Sequence, residues 1–200
     1  MRYILVASGI DNFKLCYEKY DDDCIWAIDG GLRALQNESI VPDVFVGDND
    51  SAFSNNIVVN KQLIMLNTCK DVSDLEEALS IIQEKYNGEE VIIYNATGGR
   101  SDHYIANIRL LLKYSDMNIT IEDLSNKIYL IKNNKEIIKT KYKYISFFNV
   151  YDNTIITLTG FKYNLTDYNM KRFDNLCLSN EIKKIGYVNV NKVIIAVEAN

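Results

Sequence analysis

The segment that most constrains the fold is Thr97-Gly98-Gly99-Arg100-Ser101-Asp102-His103, because it joins two stretches of different periodicity. The run before it, residues 91–95, is β-branched and aromatic and predicts a short buried strand. After it, Ile105, Ile108 and Leu111 recur at helical spacing and predict a helix. Glycines let the backbone approach a ligand, and a helix start presents unpaired N–H groups. The segment is therefore a candidate anion site.

Three side chains of this segment could add chemistry to the turn. Arg100 offers a planar guanidinium that suits phosphate, and Asp102 and His103 supply a carboxylate and an imidazole. The alternative is a purely structural turn, in which Ser101 caps the helix and Asp102 occupies its first turn. The segment alone does not decide between the two.

Strands alternate with helices over the first part of the chain. The predicted strands are residues 3–8, 24–28, 44–46, 63–66 and 91–95, and the helices between them are 11–20, 32–36 and 71–86. This alternation predicts a mostly parallel, three-layer α/β domain, in which ligands bind beyond the carboxyl ends of the strands. Polar clusters follow each predicted strand, at residues 8–9, 29–31, 48–51, 71–74 and 97–103.

From residue 119 onward the pattern changes to short strands without a helix. The predicted strands are residues 127–131, 136–140, 144–150, 154–160 and 193–197, with Asn133-Asn134 as a hairpin turn. An all-β sandwich or partial barrel is expected here. The sequence thus predicts two domains, residues 1–118 and 119–200.

Charge, cysteine usage and hydropathy exclude several classes of protein. The formal net charge of −5 argues against a nucleic-acid surface. A single histidine and four scattered cysteines without a C-x-x-C pair argue against a zinc site. No apolar run approaches the ~20 residues of a membrane helix, and the N-terminal run is too short for a signal peptide. We expect a protein of the reducing cytoplasm that binds neither nucleic acid nor membrane.

Two acidic clusters are candidate metal ligands. Asp48 and Asp50 flank one residue after a predicted strand, where two carboxylates repel each other unless a cation neutralises them. Mg²⁺ suits such a pair because it binds one or two carboxylates together with phosphate oxygens. An EF-hand is excluded, since Phe53 stands where its sharp turn needs glycine. The alternative is a solvated acidic turn.

The second acidic cluster lies at the start of the predicted helix 71–86. Ser73 and Glu76 have the spacing of a capping box, and Asp74 in the first turn suits the helix dipole. Asp71 and Asp74 are thus either helix-start residues or part of a metal and phosphate site. Asp29, before Gly30-Gly31, has a similar alternative as a polar turn after a strand.

Six separated motifs follow one another along the chain. They are Asp29-Gly30-Gly31; Pro42-Asp43 followed by Gly47-Asp48-Asn49-Asp50-Ser51; Lys70-Asp71-Val72-Ser73-Asp74; the segment 97–103 with Ala106-Asn107; Thr159-Gly160-Phe161-Lys162-Tyr163-Asn164-Leu165; and Ser179-Asn180-Glu181. In residues and in order they resemble the motifs of the thiamine diphosphokinase (thiamine pyrophosphokinase) family. The resemblance spans nearly the whole chain, which makes it far more specific than a glycine motif alone.

The resemblance implies a fold and a reaction. An α/β domain that binds ATP and carries catalysis would be followed by a β-sandwich that binds thiamine and forms a homodimer. The reaction would move a pyrophosphoryl group from ATP to the hydroxyl of thiamine with Mg²⁺, giving thiamine diphosphate and AMP. Thiamine would lie at the subunit interface.

The resemblance also assigns roles to individual residues. Mg²⁺ would be held by Asp48, Asp50 and Asp74. ATP would be bound by Asp29, Gly30, Gly31, Thr97, Gly98, Gly99, Arg100, Ser101 and His103. Arg100 would also stabilise charge in catalysis, and the general base is left open between Asp71 and Asp102. Tyr163 would stack on thiamine, whose thiazolium cation suits an aromatic face, with Ser179 and Asn180 completing that wall.

The chain departs from the family pattern in three of its segments, and none of the departures removes a proposed metal ligand. Asn49 replaces the usual Phe between the paired aspartates, Ser73 stands where Thr is common, and Leu32-Arg33-Ala34 replaces Ala-Asn-Arg. Two other functions fit the same motifs: a pyrophosphokinase acting on another alcohol, such as a pterin, and a non-catalytic nucleotide-binding module. The complete set of three aspartates argues against the second.

Overall fold

The computed structural model describes residues 1–48, 58–66 and 71–200. Contacts divide the chain into two units, Met1–Leu124 and Ser125–Asn200. Each unit has its own apolar core, around Phe13 and Phe45 in the first and around Phe147 and Phe161 in the second. The α/β class predicted for the first part and the all-β class predicted for the second are both confirmed.

A parallel sheet forms the centre of the first unit. Its strands are β1 (Arg2–Val6), β2 (Asp23–Ile28), β3 (Val44–Asp48), β4 (Gln62–Leu66), β5 (Glu90–Tyr94) and β6 (Asn118–Glu122). They lie in the order β4-β3-β2-β1-β5-β6, and every neighbouring pair is parallel. The chain leaves β1 toward one edge and returns beside it as β5. The crevice beyond β1 and β5 is therefore the point where the strand order reverses, at which such sheets bind ligands.

Four helices are described in the first unit: α1 (Phe13–Cys16), α2 (Gly31–Asn37), α3 (Asp74–Gln83) and α4 (Ser101–Lys113). Helix α3 buries Leu75, Ala78, Leu79 and Ile82 on one face, as its periodicity predicts. Helix α1 is shorter than the predicted 11–20. Its chain turns extended at Tyr17, because the Tyr17 hydroxyl and the Tyr20 N–H both donate to the Asp23 carboxylate.

The division between the units falls after Leu124, later than the predicted boundary at residue 118. The difference is strand β6, which pairs in parallel with β5 from Asn118 to Glu122 and so extends the first sheet. The sequence pattern indicates only that helices end near this point. The parallel strands of the first unit therefore run from β4 to β6.

The second unit contains two antiparallel sheets. Its strands are β7 (Asn126–Ile131), β8 (Lys135–Ile138), β9 (Tyr144–Asn149), β10 (Thr154–Phe161), β11 (Leu165–Met170), β12 (Ile182–Val190) and β13 (Ile194–Ala199). One sheet has the order β7-β13-β9 and the other β11-β10-β12-β8. Phe147 of one sheet and Phe161 of the other meet edge to face, with ring centroids 5.8 Å apart. This is the predicted sandwich.

The predicted hairpin at Asn133-Asn134 is wrong. Strand β7 pairs with β13 and strand β8 pairs with β12, so the chain crosses from one sheet to the other at this point. The crossing lets Ile131 and Ile137 enter the same core, and a hairpin would have kept them in one sheet. Strands β11 and β12 were missed, since β11 is mostly exposed and lacks an apolar run.

Within the residues that the structure describes, no helix has the length and apolar character needed to cross a membrane.

Candidate functional site

A cavity of about 590 Å³ opens at the carboxyl ends of the strands of the first unit. Four of the predicted polar clusters contribute to its walls, although they lie far apart in the sequence. The lining includes Ser8, Gly9, Asp29, Ser73, Asp74, Gly98, Gly99, Arg100 and His103. The structure thus confirms that these segments meet at one edge of the sheet.

The double-glycine turn forms one wall of the cavity. Gly98 and Gly99 both have positive φ, 72° and 61°, which L side chains rarely adopt. A Cβ on Gly98 would also lie 2.5 Å from the Cδ1 atom of Ile10, so the turn has room for Ile10 only because glycine stands there. Helix α4 then begins at Ser101, and its N-cap is Arg100, without a side-chain capping bond. The expectation that Ser101 caps this helix is therefore wrong.

Arg100 and Asp102 form an exposed ion pair at the rim of the turn. Two guanidinium nitrogens of Arg100 donate to the two Asp102 carboxylate oxygens, at 3.2 and 2.6 Å. The side chains are 72% and 64% exposed. These bonds, together with one from the His103 N–H, hold the pKa of Asp102 at about 2. Asp102 is thus a carboxylate at neutral pH, and an incoming phosphate can compete with it for Arg100.

Asn95 shapes the cavity, and sequence analysis missed it as a site residue. It is 2% exposed, with a left-handed backbone at φ 56°. Its side chain accepts from the Asn12 N–H at 2.9 Å and donates to Asp11 at 3.2 Å, and its carbonyl accepts from the Gly9 N–H at 2.7 Å. Asn95 therefore fastens the loop after β1 to the loop after β5. The sequence signal for this role was an asparagine directly after a strand, because asparagine adopts a positive φ more readily than most other residues.

Two residues predicted to bind ATP have close internal contacts. Thr97 is buried, and its hydroxyl donates to the Asp123 carboxylate at 2.5 Å. Gly31 is buried beside β1, where a Cβ would lie 1.8 Å from the Val6 carbonyl oxygen. Both residues let neighbouring segments pack closely. Gly30 lines a smaller cavity of about 350 Å³ next to the first, together with Arg33.

The predicted metal ligands are only partly described. Asp74, the first residue of α3, lines the cavity and is half-buried, and Asp48 ends β3 at the same edge of the sheet. Asp50 lies outside the described residues. Among residues 1–48, 58–66 and 71–200, no group of three or more His, Cys, Asp or Glu side chains is placed to hold a metal ion. Asp71 is exposed and is not part of the cavity lining.

Helix capping explains part of the second acidic cluster. The Ser73 hydroxyl accepts from the Glu76 N–H at 3.2 Å, as the capping-box spacing predicts. The Glu76 carboxylate, however, pairs with Lys113 of α4. Ser73 is therefore the N-cap of α3. Asp74, the next residue, lines the cavity.

Two family models match this chain, one in each unit. Residues 17–122 match the model described as thiamin pyrophosphokinase, catalytic domain, and residues 127–195 match the model described as thiamin pyrophosphokinase, vitamin B1 binding domain. The chain belongs to the thiamine pyrophosphokinase family.

Relatives in this family cover almost the whole chain. The thiamine pyrophosphokinase of Bacillus subtilis is 34% identical over 189 residues, which is 89% of this chain and 88% of the relative. The crystal structure of that enzyme superposes with a TM-score of 0.87 and 27% identity, covering 100% of this chain and 99% of the other. That of the Geobacillus thermodenitrificans thiamin pyrophosphokinase gives 0.85 and 28%, covering 100% and 98%.

In the second unit of this family member, the predicted thiamine-contacting residues lie together. The turn between β10 and β11 presents Tyr163, whose side chain is 60% exposed. The Asn180 side chain accepts from the Tyr163 N–H at 3.0 Å and donates to the Tyr163 carbonyl at 2.7 Å. Ser179 precedes it with φ 55°, and its N–H donates to the Ser146 hydroxyl at 2.9 Å. The two motifs of the thiamine pyrophosphokinase β domain are thus fastened to each other.

Charged side chains flank this exposed tyrosine. The Lys162 ammonium lies 5.5 Å from the centre of the Tyr163 ring and pairs with the Glu181 carboxylate at 2.6 Å. The Lys162 N–H also donates to the Glu181 carbonyl at 2.8 Å. The Lys162 ammonium beside the Tyr163 ring is thus paired with a carboxylate.

Proposed function

We propose that this chain transfers a pyrophosphoryl group from ATP to the hydroxyl of thiamine, giving thiamine diphosphate and AMP. The observation that carries the proposal is the cavity at the reversal of strand order, where the glycine turn, Arg100 and Asp74 meet. The family and its curated relative at 34% identity supply the reaction class.

The polyphosphate of ATP would lie along the glycine turn. Gly98, Gly99 and the start of α4 offer backbone N–H groups and the positive end of the helix dipole. Arg100 and His103, on the same wall, can bind phosphate oxygens. Asp29 and Ser8 also line the cavity. These groups position the β-phosphorus and stabilise the negative charge that develops on its oxygens.

A divalent cation fits the donors at this edge. Asp48 and Asp74 supply hard carboxylate oxygens of the kind that Mg²⁺ prefers, and we propose Asp50 as the third ligand. When bound, Mg²⁺ would neutralise phosphate charge and act as a Lewis acid. Asp74 suits this role because it lines the cavity.

The thiamine hydroxyl must lose a proton during the attack. Asp102 would be a weak base in this state, because its bonds to Arg100 keep its pKa at about 2. Asp71, which is exposed shortly before Asp74 in the chain, is the other candidate base. Arg100 would stabilise charge and Asp102 would orient Arg100.

Thiamine would stack on Tyr163, with Ser179 beside it. Support comes from the match of residues 127–195 to the vitamin B1 binding domain and from the exposed Tyr163 ring, which suits a cationic thiazolium. We propose a homodimer with thiamine at the subunit interface, where the partner would cover the exposed Tyr163 ring. We place the protein in the cytoplasm, in keeping with Cys24 and Cys177, which form no disulfide with another described residue.

A pyrophosphokinase acting on another alcohol would use the same cavity. The first test therefore incubates the chain with ATP, Mg²⁺ and either thiamine or a pterin alcohol, and identifies products by mass spectrometry. We expect thiamine diphosphate and AMP in equal amounts, with no pterin product. AMP formed only with the pterin would move the substrate assignment, and no AMP with either alcohol would support a non-catalytic nucleotide-binding module.

A further inference from the structure

The Asn180 side chain is committed to holding one short segment of the second unit. Its Oδ1 atom accepts from the N–H groups of Tyr163 at 3.0 Å and Glu181 at 2.9 Å, and its Nδ2 atom donates to the Tyr163 carbonyl at 2.7 Å. A carboxamide oxygen has two lone pairs, so both acceptor positions are used. The residue is 4% exposed. Little of this amide is left to contact a ligand.

The backbone of Asn180 is fixed as firmly as its side chain. Its N–H and carbonyl exchange two hydrogen bonds of 2.8 Å with Ile145 of β9. Asn180 therefore links β9, in one sheet of the sandwich, to the turn between β10 and β11, in the other. The Asn180 side-chain amide forms the two hydrogen bonds with the Tyr163 backbone that a neighbouring strand would otherwise form.

The consequence is a rigid base under an exposed ring. The N–H and the carbonyl of Tyr163 are both bonded to Asn180, whereas its side chain is 60% exposed. A fixed backbone limits the conformations of the ring, so less entropy is lost when a ligand stacks on it.

We propose that Asn180 is a positioning residue, which sets thiamine affinity through Tyr163 and does not itself contact thiamine. This inference rests on the proposed function, because it requires thiamine to bind at Tyr163. It replaces the direct contact that the sequence motif suggested for Asn180. Ser179 is exposed at the neighbouring position and keeps its hydroxyl available.

A double-mutant cycle separates positioning from contact. The steady-state KM for thiamine and the KM for ATP are measured for the wild type, Asn180→Ala, Tyr163→Ala and the double variant. Asn189→Ala, exposed on β12 of the same sandwich, serves as the control. We expect each single change at 163 or 180 to raise the KM for thiamine about tenfold while the KM for ATP stays within about twofold. The double variant should match Tyr163→Ala.

The cycle can fail in distinct ways. Effects that multiply in the double variant, or an unchanged thiamine KM for Asn180→Ala, would overturn the inference while the proposed function stands. If Asn180→Ala does not fold, Asn180→Asp enters the same cycle, since it keeps both acceptor bonds and removes only the donation to Tyr163. A wild type without thiamine diphosphate formation would overturn the proposed function, and an unchanged thiamine KM for Tyr163→Ala would overturn the thiamine contact and this inference together.

Discussion

Each end of the parallel sheet has an ion pair between an arginine and an aspartate, and the two pairs serve opposite purposes. At the amino end, Arg2 of β1 and Asp23 of β2 form two hydrogen bonds of 2.8 and 2.9 Å, and the Asp23 side chain is only 2% exposed. The Tyr17 hydroxyl and the Tyr20 N–H also donate to Asp23. At the carboxyl end, Arg100 and Asp102 are bonded to each other with both side chains mostly exposed.

The contrast shows how one sheet separates stability from binding. A buried carboxylate must be fully hydrogen-bonded, and Asp23 meets that requirement with three partners from the loop and strand around it. Such a group has nothing left to offer a ligand. The exposed pair at the other end contributes little to the fold and can exchange partners when an anion arrives. The predictions below test this division of roles.

The largest effect is expected from Gly31→Ala, because Gly31 packs tightly against the end of β1. A Cβ there would lie 1.8 Å from the Val6 carbonyl oxygen and 2.6 Å from its carbon, and backbone atoms cannot move aside cheaply. We expect a loss of more than about 4 kcal/mol in the free energy of unfolding, or no folded protein. Gly88→Ala is the control, since nothing lies within 4 Å and only its positive φ of 94° costs about 1–2 kcal/mol. If urea unfolding gave both variants the same free energy of unfolding, the close contact between Gly31 and Val6 would be refuted.

Asp23→Asn tests the amino end. Removing one partner of a buried pair costs about 3 kcal/mol in the free energy of unfolding, while kcat should not change. Burial raises the pKa of Asp23, but the bonds from Arg2, Tyr20 and Tyr17 outweigh it and hold the pKa below its ordinary value. Asp23 therefore stabilises the fold above its unfolded pKa of about 3.9, and this contribution is lost as pH falls through the folded pKa.

The pH dependence provides the check on that prediction. At pH 7, the free energies of unfolding of the wild type and Asp23→Asn, measured in urea, should differ by the full amount. This difference should shrink as the pH falls below about 4. Asp22→Asn is the matched control, because that neighbouring carboxylate is 64% exposed and pairs only with the N-terminal amine among the described residues. A gap that stays constant with pH would mean that packing, not the charge of Asp23, stabilises this end.

Asp74→Asn tests the carboxyl end by activity instead of stability. We expect kcat/KM for ATP and Mg²⁺ to fall about a hundredfold, the loss typical when one group that stabilises transition-state charge is removed. Glu77→Gln removes a charge from the same first turn of α3 and should leave activity within about twofold. Partial rescue of Asp74→Asn by excess Mg²⁺ would support a metal ligand. Equal losses in both variants would assign the effect to the helix.

Sequence pattern predicted the parts of the molecule whose position follows from chain direction. Parallel strands put their carboxyl ends at one edge, so the clusters at Asp29, Asp74 and residues 97–103 had to meet there. Helix α3 could be predicted for a different reason, because the apolar spacing that indicates it is a local property of the sequence.

What could not be predicted depends on partners far along the chain. The Thr97 hydroxyl is bonded to Asp123, 26 residues away, and Tyr163 is held by Asn180, 17 residues away. Helix α1 ends early because Asp23 bonds to Tyr17 and Tyr20 from outside the helix. None of these pairs has a periodic signature. They become visible only when the fold has brought the two segments together.

The smallest effect on the fold is expected from Arg100→Ala, the counterpart of Asp23→Asn at the carboxyl end. Loss of the guanidinium should raise the pKa of Asp102 from about 2 toward its ordinary value of ~3.9, which a carboxyl-carbon NMR titration would follow. At pH 7 Asp102 is ionised with or without Arg100, and both side chains are exposed, so the midpoint of thermal unfolding should not move measurably. Affinity for ATP should nevertheless fall about tenfold, because a phosphate-binding cation is gone. An unfolding midpoint lowered as far as in Asp23→Asn, with ATP affinity intact, would show that this pair stabilises the fold as Arg2 and Asp23 do.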